Sequence, residues 1–168
     1  MPTTTISLIG MPAAGKSTIG VVLAKLSGLR FVDTDLNIQV EAGATLQQIL
    51  DTKGYRYLRS FEEEVLLGIK LEGAIIATGG SVVYSEAVMQ KLTTAGPVIY
   101  LEADMATLQQ RVAAAPLRGI ACTADQGFVD IFAERTPLYK RYADLSVDAT
   151  AGTPETVATA ILTALALP

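Results

Sequence analysis

Histidine is absent from this chain of 168 residues, and Cys122 is its single cysteine. Without histidine there can be no Ser-His-Asp or Cys-His triad, no histidine-ligated zinc and no histidine general base. With one cysteine there can be no internal disulfide and no thiolate metal cage. Any catalysis must therefore use lysine, arginine, carboxylates, hydroxyls and backbone amides, which are the groups that serve phosphoryl transfer.

An excess of positive charge is also missing. Lysine and arginine number 13 against 17 aspartates and glutamates, which gives a net charge of −4. This balance argues against a nucleic-acid partner, because such proteins usually carry a basic face. It permits a nucleotide ligand, for which a few well-placed donors suffice.

Signals for export or membrane insertion are missing as well. Residues 1–9 lack the basic region and the long apolar core of a signal peptide. The longest helical apolar stretch, residues 157–167, is interrupted by Thr159 and Thr163 and is shorter than the roughly 20 residues of a membrane span. We therefore expect a cytoplasmic protein with no membrane partner, acting as a monomer.

The order of apolar and amphipathic segments predicts the fold class. Half of the residues are hydrophobic and no linker or repeat divides the chain, so we expect one domain over residues 1–168. Apolar runs alternate with amphipathic segments, which predicts a parallel sheet covered by helices. Segment 36–70 is predicted to be helical in pieces, broken at Gly43 and Gly54, and segment 115–127 to be a mobile loop. The predicted strands are residues 5–9, 31–32, 74–77, 97–101 and 145–147, and the other predicted helices are residues 16–26, 85–94, 104–114, 128–142 and 154–166.

A glycine-rich phosphate-binding sequence follows the first strand. Residues 10–17 match G-x-x-x-x-G-K-[ST] between a strand and a helix, the context that this motif requires. Backbone N–H groups of such a loop point at phosphate oxygens beside the positive end of a helix dipole. Lys16 can reach the β- and γ-phosphates, and the Ser17 hydroxyl can bind Mg²⁺. The only asparagine, Asn37, is followed by Ile38, so the guanine-selecting Asn-Lys-x-Asp sequence of switch GTPases is absent.

Two carboxylates follow the second predicted strand. In an extended chain, Asp33 and Asp35 would face the same way, roughly 6.6 Å apart. Both would then point across the top of the sheet, where ligands bind in open α/β folds. One carboxylate could lie near Mg²⁺ and the other near an acceptor hydroxyl, although both residue types also cap helices well.

Arginines and glycines farther along the chain are candidates for holding an acceptor. Arg59 and Glu62 share a helix face, either as a surface salt bridge or with the guanidinium gripping a substrate carboxylate. Residues 78–81 allow backbone amides to approach a ligand closely, or form a plain tight turn. Arg118 and Arg135 could stabilise charge near the phosphate loop, or be solvated surface residues.

Six sequence segments together resemble the shikimate kinase family, within the P-loop kinase fold. They occur in the family's order over nearly the whole chain. The segments are Gly-Met-Pro-Ala-Ala-Gly-Lys-Ser-Thr-Ile-Gly at 10–20, Phe-Val-Asp-Thr-Asp at 31–35, Arg-Ser-Phe-Glu at 59–62, Ala-Thr-Gly-Gly at 77–80, Glu-Arg-Thr-Pro-Leu-Tyr at 134–139 and Ala-Asp-Leu-Ser-Val-Asp at 143–148.

The resemblance implies both a fold and an activity. The fold is a three-layer αβα domain with a five-stranded parallel sheet, a mobile lid near residues 115–127 and an acceptor-binding helical segment near residues 33–62. The activity is phosphorylation of a shikimate hydroxyl by ATP with Mg²⁺, which gives shikimate 3-phosphate in aromatic amino-acid biosynthesis. The partner is then a small hydroxy-acid acceptor.

On the nucleotide side, the resemblance implies that Lys16 is catalytic and that Arg118 closes on the phosphates from the lid. Ser17 and Asp33 would hold Mg²⁺, the latter through water. The residues implied in nucleotide binding are Gly10, Met11, Pro12, Ala13, Ala14, Gly15, Lys16, Ser17, Thr18, Arg111 and Pro154.

On the acceptor side, the resemblance implies that Asp35 binds the acceptor hydroxyls and receives the proton. Arg59 and Arg135 would hold the acceptor carboxylate, with help from the backbone at Gly79 and Gly80. The full set implied in acceptor binding is Asp35, Arg59, Gly79, Gly80, Ser81 and Arg135.

The chain departs from the family pattern mainly around the acceptor. Ser81 replaces a third glycine, residues 118–121 replace the lid sequence Arg-Pro-Leu-Leu, and Leu58 replaces an aromatic residue before Arg59. Further departures are Leu50 for phenylalanine, and Tyr55 and Gln39 for glutamates. A less aromatic pocket could suit another hydroxy acid such as homoserine or gluconate. A third possibility is a domain that binds nucleotide without transferring phosphate.

Overall fold

Five parallel strands form the centre of the protein, and the expected three-layer α/β fold is confirmed. The computed structural model describes residues 4–115, 119–120 and 126–167. The strands run in the order β2-β3-β1-β4-β5 across the sheet. Their bounds are β1 Ile6–Ile9, β2 Arg30–Asp33, β3 Ala74–Ala77, β4 Val98–Glu102 and β5 Leu145–Asp148.

Seven α-helices and one short 3₁₀ helix connect and cover these strands in the described part of the chain. Helix α1 packs against α7, and α3 packs against α4. The helices are α1 Lys16–Ser27, α2 Thr34–Ala42, α3 Leu46–Gly68, α4 Glu86–Ala95, α5 Met105–Ala114, α6 Phe128–Tyr142 and α7 Pro154–Ala164, with the 3₁₀ helix at Val82–Tyr84.

The core lies where the sequence is most continuously apolar. Every residue of β1 and β3 is buried, as expected for strands covered on both faces. The predicted breaks in segment 36–70 are confirmed. Gly43 ends α2 in the left-handed conformation, and Gly54 has non-helical angles (φ 81°, ψ 170°) inside α3. Within the described ranges, no helix combines the length and apolar character needed to cross a membrane.

The topology places the functional segments at one edge of the sheet. The strand order reverses at β1, which pairs with β3 on one side and β4 on the other. In open α/β sheets, such a reversal leaves a crevice beyond the carboxyl ends of the strands. The phosphate loop follows β1, Asp33 ends β2, and residues 78–81 follow β3, so all three meet at this crevice.

Candidate active site

A cleft of about 730 Å³ lies at this edge of the sheet. Most of the site residues predicted from the sequence line this cleft. Arg59 does not line the cleft, and Gly10 and Met11 are buried at the start of the phosphate loop. Arg118 and Cys122 lie outside the described residues. The expected residues that line the cleft are Pro12, Ala13, Ala14, Gly15, Lys16, Ser17, Thr18, Asp33, Asp35, Gly79, Gly80, Ser81, Arg111, Arg135 and Pro154.

The phosphate loop has the conformation that anion binding requires. Ala13 and Gly15 adopt positive φ angles of 68° and 99°, which curl the chain back before α1 begins. Gly15 stands at the N-cap of α1 and has no side chain to cap it, so the helix N-terminus remains available to an anion. The Lys16 ammonium donates hydrogen bonds to the carbonyl oxygens of Gly10 and Met11, each at 2.8 Å. This brings a lysine charge to the mouth of the loop.

Arg111 and Pro154 line the cleft from two other helices. Nη1 of Arg111, in the last turn of α5, donates to the carbonyl oxygens of Ala13 at 3.1 Å and Ala14 at 3.4 Å. Pro154 is the first residue of α7 and lines the same cleft. Arg111 is therefore next to the phosphate loop, Pro154 lines the same cleft, and the adenine-flanking role of both remains a prediction.

Asp33 combines the two interpretations that its sequence position allowed. Its Oδ1 accepts a hydrogen bond from the Asp35 backbone N–H at 3.0 Å and so caps α2. Its Oδ2 accepts a hydrogen bond from the Ser17 hydroxyl at 2.6 Å. The extended-chain argument for Asp33 and Asp35 was wrong, because Asp35 lies in the first turn of α2. Both carboxylates still line one cleft, since the first caps the helix that carries the second.

The oxygen atoms of Ser17 and Asp33 fit the chemistry of Mg²⁺. Magnesium prefers hard oxygen ligands and is usually held by one or two protein groups together with substrate phosphates and water. In the described residues, no group of three or more carboxylate, cysteine or histidine side chains forms an all-protein metal site. The pair is therefore suited to a metal that shares its coordination with a nucleotide.

Glu62 is a buried carboxyl group in the acceptor part of the site. It is 6% exposed, so its interpretation as a surface salt-bridge partner of Arg59 was wrong. Its Oε2 accepts a hydrogen bond from Ser81 Oγ at 2.5 Å, and its Oε1 has no hydrogen-bond partner among the described residues. Burial raises the pKa of Glu62 to about 7; the negative charge of Asp35 also raises it, whereas the Ser81 hydrogen bond lowers it.

Gly79 and Gly80 bring the acceptor side chains together because they lack side chains of their own. A Cβ atom at Gly79 would stand 2.4 Å from Oε1 of Glu62 and 3.0 Å from Oδ1 of Asp35. A Cβ atom at Gly80 would stand 3.1 Å from Nη1 of Arg135. The glycine turn therefore lies directly against two carboxyl groups and one guanidinium.

The two arginines expected to hold a carboxylate meet at Tyr84, a residue that the sequence analysis missed. The Arg59 guanidinium carbon lies 4.0 Å from the Tyr84 ring centroid, and that of Arg135 lies 5.3 Å from it. Arg135 is 1% exposed, so its charge is held inside the protein. The one sequence feature that could have pointed to Tyr84 is its position four residues after Gly80.

Gly119 and Ile120, the described part of the segment predicted to be a lid, also line the cleft. A Cβ atom at Gly119 would stand 2.6 Å from the carbonyl carbon of Leu46, so the backbone at Gly119 lies against the start of α3. Leu58, which replaces an aromatic residue of the family, is buried and lines the cleft as well.

Comparison with known proteins agrees with this geometry. A profile of the family described as shikimate kinase matches residues 12–166. The chain belongs to the shikimate kinase family. It is therefore an ATP-dependent phosphotransferase, and the expected family and enzyme class are confirmed.

Individual relatives cover nearly the whole length of this shikimate kinase family member. It is 37% identical to shikimate kinase 2 of Enterobacter sp. (strain 638) over 167 residues, which cover 96% of this chain and 95% of the relative. It is 35% identical to shikimate kinase of Halorhodospira halophila (strain DSM 244 / SL1) over 163 residues, which cover 95% and 92%.

A solved structure has the same fold. Shikimate kinase from Acinetobacter baumannii in complex with shikimate superposes with a TM-score of 0.86 at 30% identity, covering 98% of this chain and 94% of that one. A gluconokinase from Sinorhizobium meliloti superposes with a TM-score of 0.53 at 14% identity, covering 98% and 92%. The second likeness shows the fold alone.

Proposed function

We propose that the protein transfers the γ-phosphoryl group of ATP to a hydroxyl of shikimate, which gives shikimate 3-phosphate in aromatic amino-acid biosynthesis. The observation that carries this proposal is one cleft with two chemically different sides. A phosphate loop forms one side, and Asp35 with the buried Arg135 forms the other. An acceptor with hydroxyl groups and a carboxylate matches the second side, because carboxylates accept from hydroxyls and guanidinium groups bind carboxylates.

The nucleotide side would act by positioning and by neutralising charge. The loop N–H groups and the N-terminus of α1 would bind the phosphates, with Lys16 exchanging its carbonyl partners for β- and γ-phosphate oxygens. Ser17 and, through water, Asp33 would hold Mg²⁺, which when bound neutralises charge on the β- and γ-phosphates. Arg111 and Pro154 would border the adenine.

The acceptor side would orient the attacking hydroxyl. Asp35 would accept its hydrogen bond and then its proton, while Arg59 and Arg135 hold the carboxylate at the other end. Glu62 is a weaker candidate for the base than Asp35, because it is buried and one of its carboxyl oxygens already accepts a hydrogen bond from Ser81. Backbone at Gly79, Gly80 and Ser81 would complete the acceptor pocket.

The wider organisation is proposed on the same grounds. Residues 1–168 would form one kinase domain, with residues 33–62 binding the acceptor and residues 115–127 forming a lid. Arg118 would close on the transferring phosphate from that lid. The net charge of −4 argues against a nucleic-acid partner. The protein would be a cytoplasmic monomer that acts on a small hydroxy acid, without a membrane partner.

Measuring ADP release with a set of acceptors tests the proposal. Purified protein with ATP and Mg²⁺ is assayed with shikimate, homoserine, gluconate and no acceptor, and Lys16→Ala serves as the inactive control. We expect shikimate alone to support rapid turnover. Turnover with homoserine or gluconate but not shikimate would favour another hydroxy acid, for which Leu58 in the cleft is the supporting observation. Nucleotide binding without turnover on any acceptor would favour a binding domain.

A further inference from the structure

Tyr84 contacts both arginines that are proposed to hold the acceptor carboxylate. Its ring centroid is 4.0 Å from the guanidinium carbon of Arg59 and 5.3 Å from that of Arg135. Arg59 comes from α3 and Arg135 from α6, so two separate helices deliver their cations to one ring. The Tyr55 ring, 5.3 Å from the Arg59 carbon, adds a second aromatic contact on the α3 side.

An aromatic ring can stabilise two cations that both contact it. Two guanidinium groups repel each other, and the repulsion grows as burial lowers the local dielectric constant. The electron-rich face of a tyrosine ring attracts a cation, and this attraction strengthens when the cation is desolvated. Tyr84 therefore stabilises both neighbouring cations, beside the Glu62 carboxyl group, which also interacts electrostatically with Arg135 and Arg59.

The Tyr84 hydroxyl is held on the side of α6. It accepts a hydrogen bond from Nε of Arg135 at 3.3 Å and donates one to the Glu134 carboxylate. The second carboxylate oxygen of Glu134 accepts a hydrogen bond from Gln126 at 3.0 Å. Burial, followed by the Glu134 hydrogen bond, raises the pKa of Tyr84, so the hydroxyl remains a donor. These contacts fix both the ring and the Arg135 side chain beside it.

The backbone ties Tyr84 to the acceptor pocket. It ends the 3₁₀ helix Val82–Tyr84, which begins directly after Ser81 in the glycine turn. The Ser81 hydroxyl is anchored on the buried Glu62, and the backbone N–H of Tyr84 donates to the Ser81 carbonyl oxygen at 3.1 Å. The position of the ring relative to Gly80 is therefore set by a short hydrogen-bonded turn.

We propose that Tyr84 is a positioning residue for acceptor recognition: its ring contacts both Arg59 and Arg135 and orients the two guanidinium groups toward one carboxylate. This inference rests on the proposed function, since it concerns the same acceptor pocket. In this proposal the aromatic ring of Tyr84 acts on the two arginines. The aromatic residue of the family pattern would instead line the cleft, where this chain carries Leu58. Tyr84 does not itself touch the reacting atoms.

The test compares variants that remove the ring with one that keeps it. Tyr84→Leu and Tyr84→Met lose the aromatic face, whereas Tyr84→Phe retains it. Tyr57→Leu is the matched control, because Tyr57 is an exposed tyrosine on α3 with a cation of its own, Lys53, 4.3 Å from its ring centroid. Steady-state kinetics give KM separately for shikimate and ATP, and thermal unfolding confirms that each variant is folded.

We expect the ring-deleting variants to raise KM for shikimate by about tenfold while KM for ATP stays within about twofold of the wild-type value. Tyr84→Phe should restore most of the acceptor affinity, and Tyr57→Leu should change neither constant. A purely structural role would instead alter both KM values or kcat together. An unchanged KM for shikimate in folded Tyr84→Leu or Tyr84→Met would overturn the proposal.

A carboxamide analogue of shikimate identifies the group that Tyr84 helps to bind. If Tyr84 acts through the two arginines, the ring-deleting variants should prefer the carboxylate over the carboxamide about tenfold less strongly than the wild-type protein does. Equal loss of both acceptors would contradict the positioning role.

Failure of the proposed function is distinguishable from failure of this inference. The former would appear as absence of shikimate-dependent turnover in the wild-type protein. Tyr84 is then tested by NMR of the arginine Nε–Hε groups, assigned with Arg59→Lys and Arg135→Lys. Loss of ring-current shifts from both arginines in Tyr84→Leu supports contact of the Tyr84 ring with both guanidinium groups, and unchanged shifts overturn it.

Discussion

Arg59 and Arg135 differ in burial, and this decides which of them gives an interpretable variant. Arg135 is 1% exposed on α6, so truncating it would leave a cavity and unpaired groups in the core. Arg59 is half-buried, and its loss should affect ligand binding more than folding. The hypothesis that Arg59 and Arg135 hold the acceptor carboxylate is therefore tested at Arg59.

We predict that Arg59→Ala raises KM for shikimate by about 10- to 100-fold, the usual effect of losing a charge-assisted hydrogen bond to a carboxylate. KM for ATP should hardly change. Arg56→Ala, an exposed arginine on the same helix, is the control for steady-state kinetics. An unchanged KM for shikimate in Arg59→Ala would show that Arg59 does not hold the acceptor carboxylate.

Glu62 gives a prediction about pH, because burial raises its pKa from 4.5 to about 7. Between these values the unfolded chain releases the Glu62 proton while the folded chain keeps it. The folded state then binds more protons, so the stability that protonated Glu62 contributes is lost as the pH rises through this window.

In Glu62→Gln this pH dependence should disappear. We expect the free energy of unfolding of the variant to rise relative to wild type by up to roughly 3 kcal/mol between about pH 5 and about pH 8. Urea denaturation at several pH values measures the difference, with Glu64→Gln as the exposed control on α3. A difference that is constant with pH would show that Glu62 ionises normally.

At the scale of elements, the glycine turn after β3 determines how closely the acceptor groups approach. Gly79 has no positive φ angle, so its requirement for glycine is steric and comes from Glu62 and Asp35. Glu62 is held by Ser81 inside the protein and has little room to move away from an added Cβ atom.

We predict that Gly79→Ala costs about 1–3 kcal/mol of stability through overpacking and also raises KM for shikimate. The matched control is Gly68→Ala at the end of α3, where an added Cβ atom meets nothing within 4 Å. That variant should be stabilised by about 0.5–1 kcal/mol, because alanine favours helix over glycine. Thermal unfolding of both proteins makes the comparison, and equal behaviour of the two would contradict a tight turn at Gly79.

Helices and strands were predictable where local periodicity is strong. Helix α6 has the predicted bounds, 128–142, because its apolar positions recur at helical spacing on both sides of Pro137. The 3₁₀ helix Val82–Tyr84 was missed, since three residues carry no periodicity. The placement of Asp35 in a helix was also missed, because the capping role of Asp33 overrides the extended geometry assumed for this segment.

Site residues, too, were predictable where a local sequence pattern marks them and not where distant segments meet. The position of Lys16 and Ser17 in the cleft was predictable from the spacing of a contiguous motif, whereas their roles stay predictions. Contacts between distant segments, such as Ser81 with Glu62 or Tyr84 with Arg59, depend on helix packing and turn geometry that the sequence pattern does not encode. Arg118 lies outside the described residues and stays a prediction.

At the scale of the whole molecule, the fold concentrates a small supply of positive charge. The chain has 13 basic residues and a net charge of −4. Lys16, Arg111 and Arg135 line one cleft together with Asp33, Asp35 and Glu62, and Arg59 contacts the Tyr84 ring. Local cation density of this kind suits ligands that carry phosphate and carboxylate groups, and it requires no histidine.

The central claim is that this cleft passes a phosphoryl group from ATP to shikimate. The most direct measurement is ³¹P NMR of a reaction containing the protein, ATP, Mg²⁺ and shikimate, with the product confirmed by mass spectrometry. We predict equal amounts of ADP and shikimate 3-phosphate, formed only when both substrates are present and not by Lys16→Ala. Formation of ADP with inorganic phosphate alone, or no shikimate-dependent product, would contradict the claim.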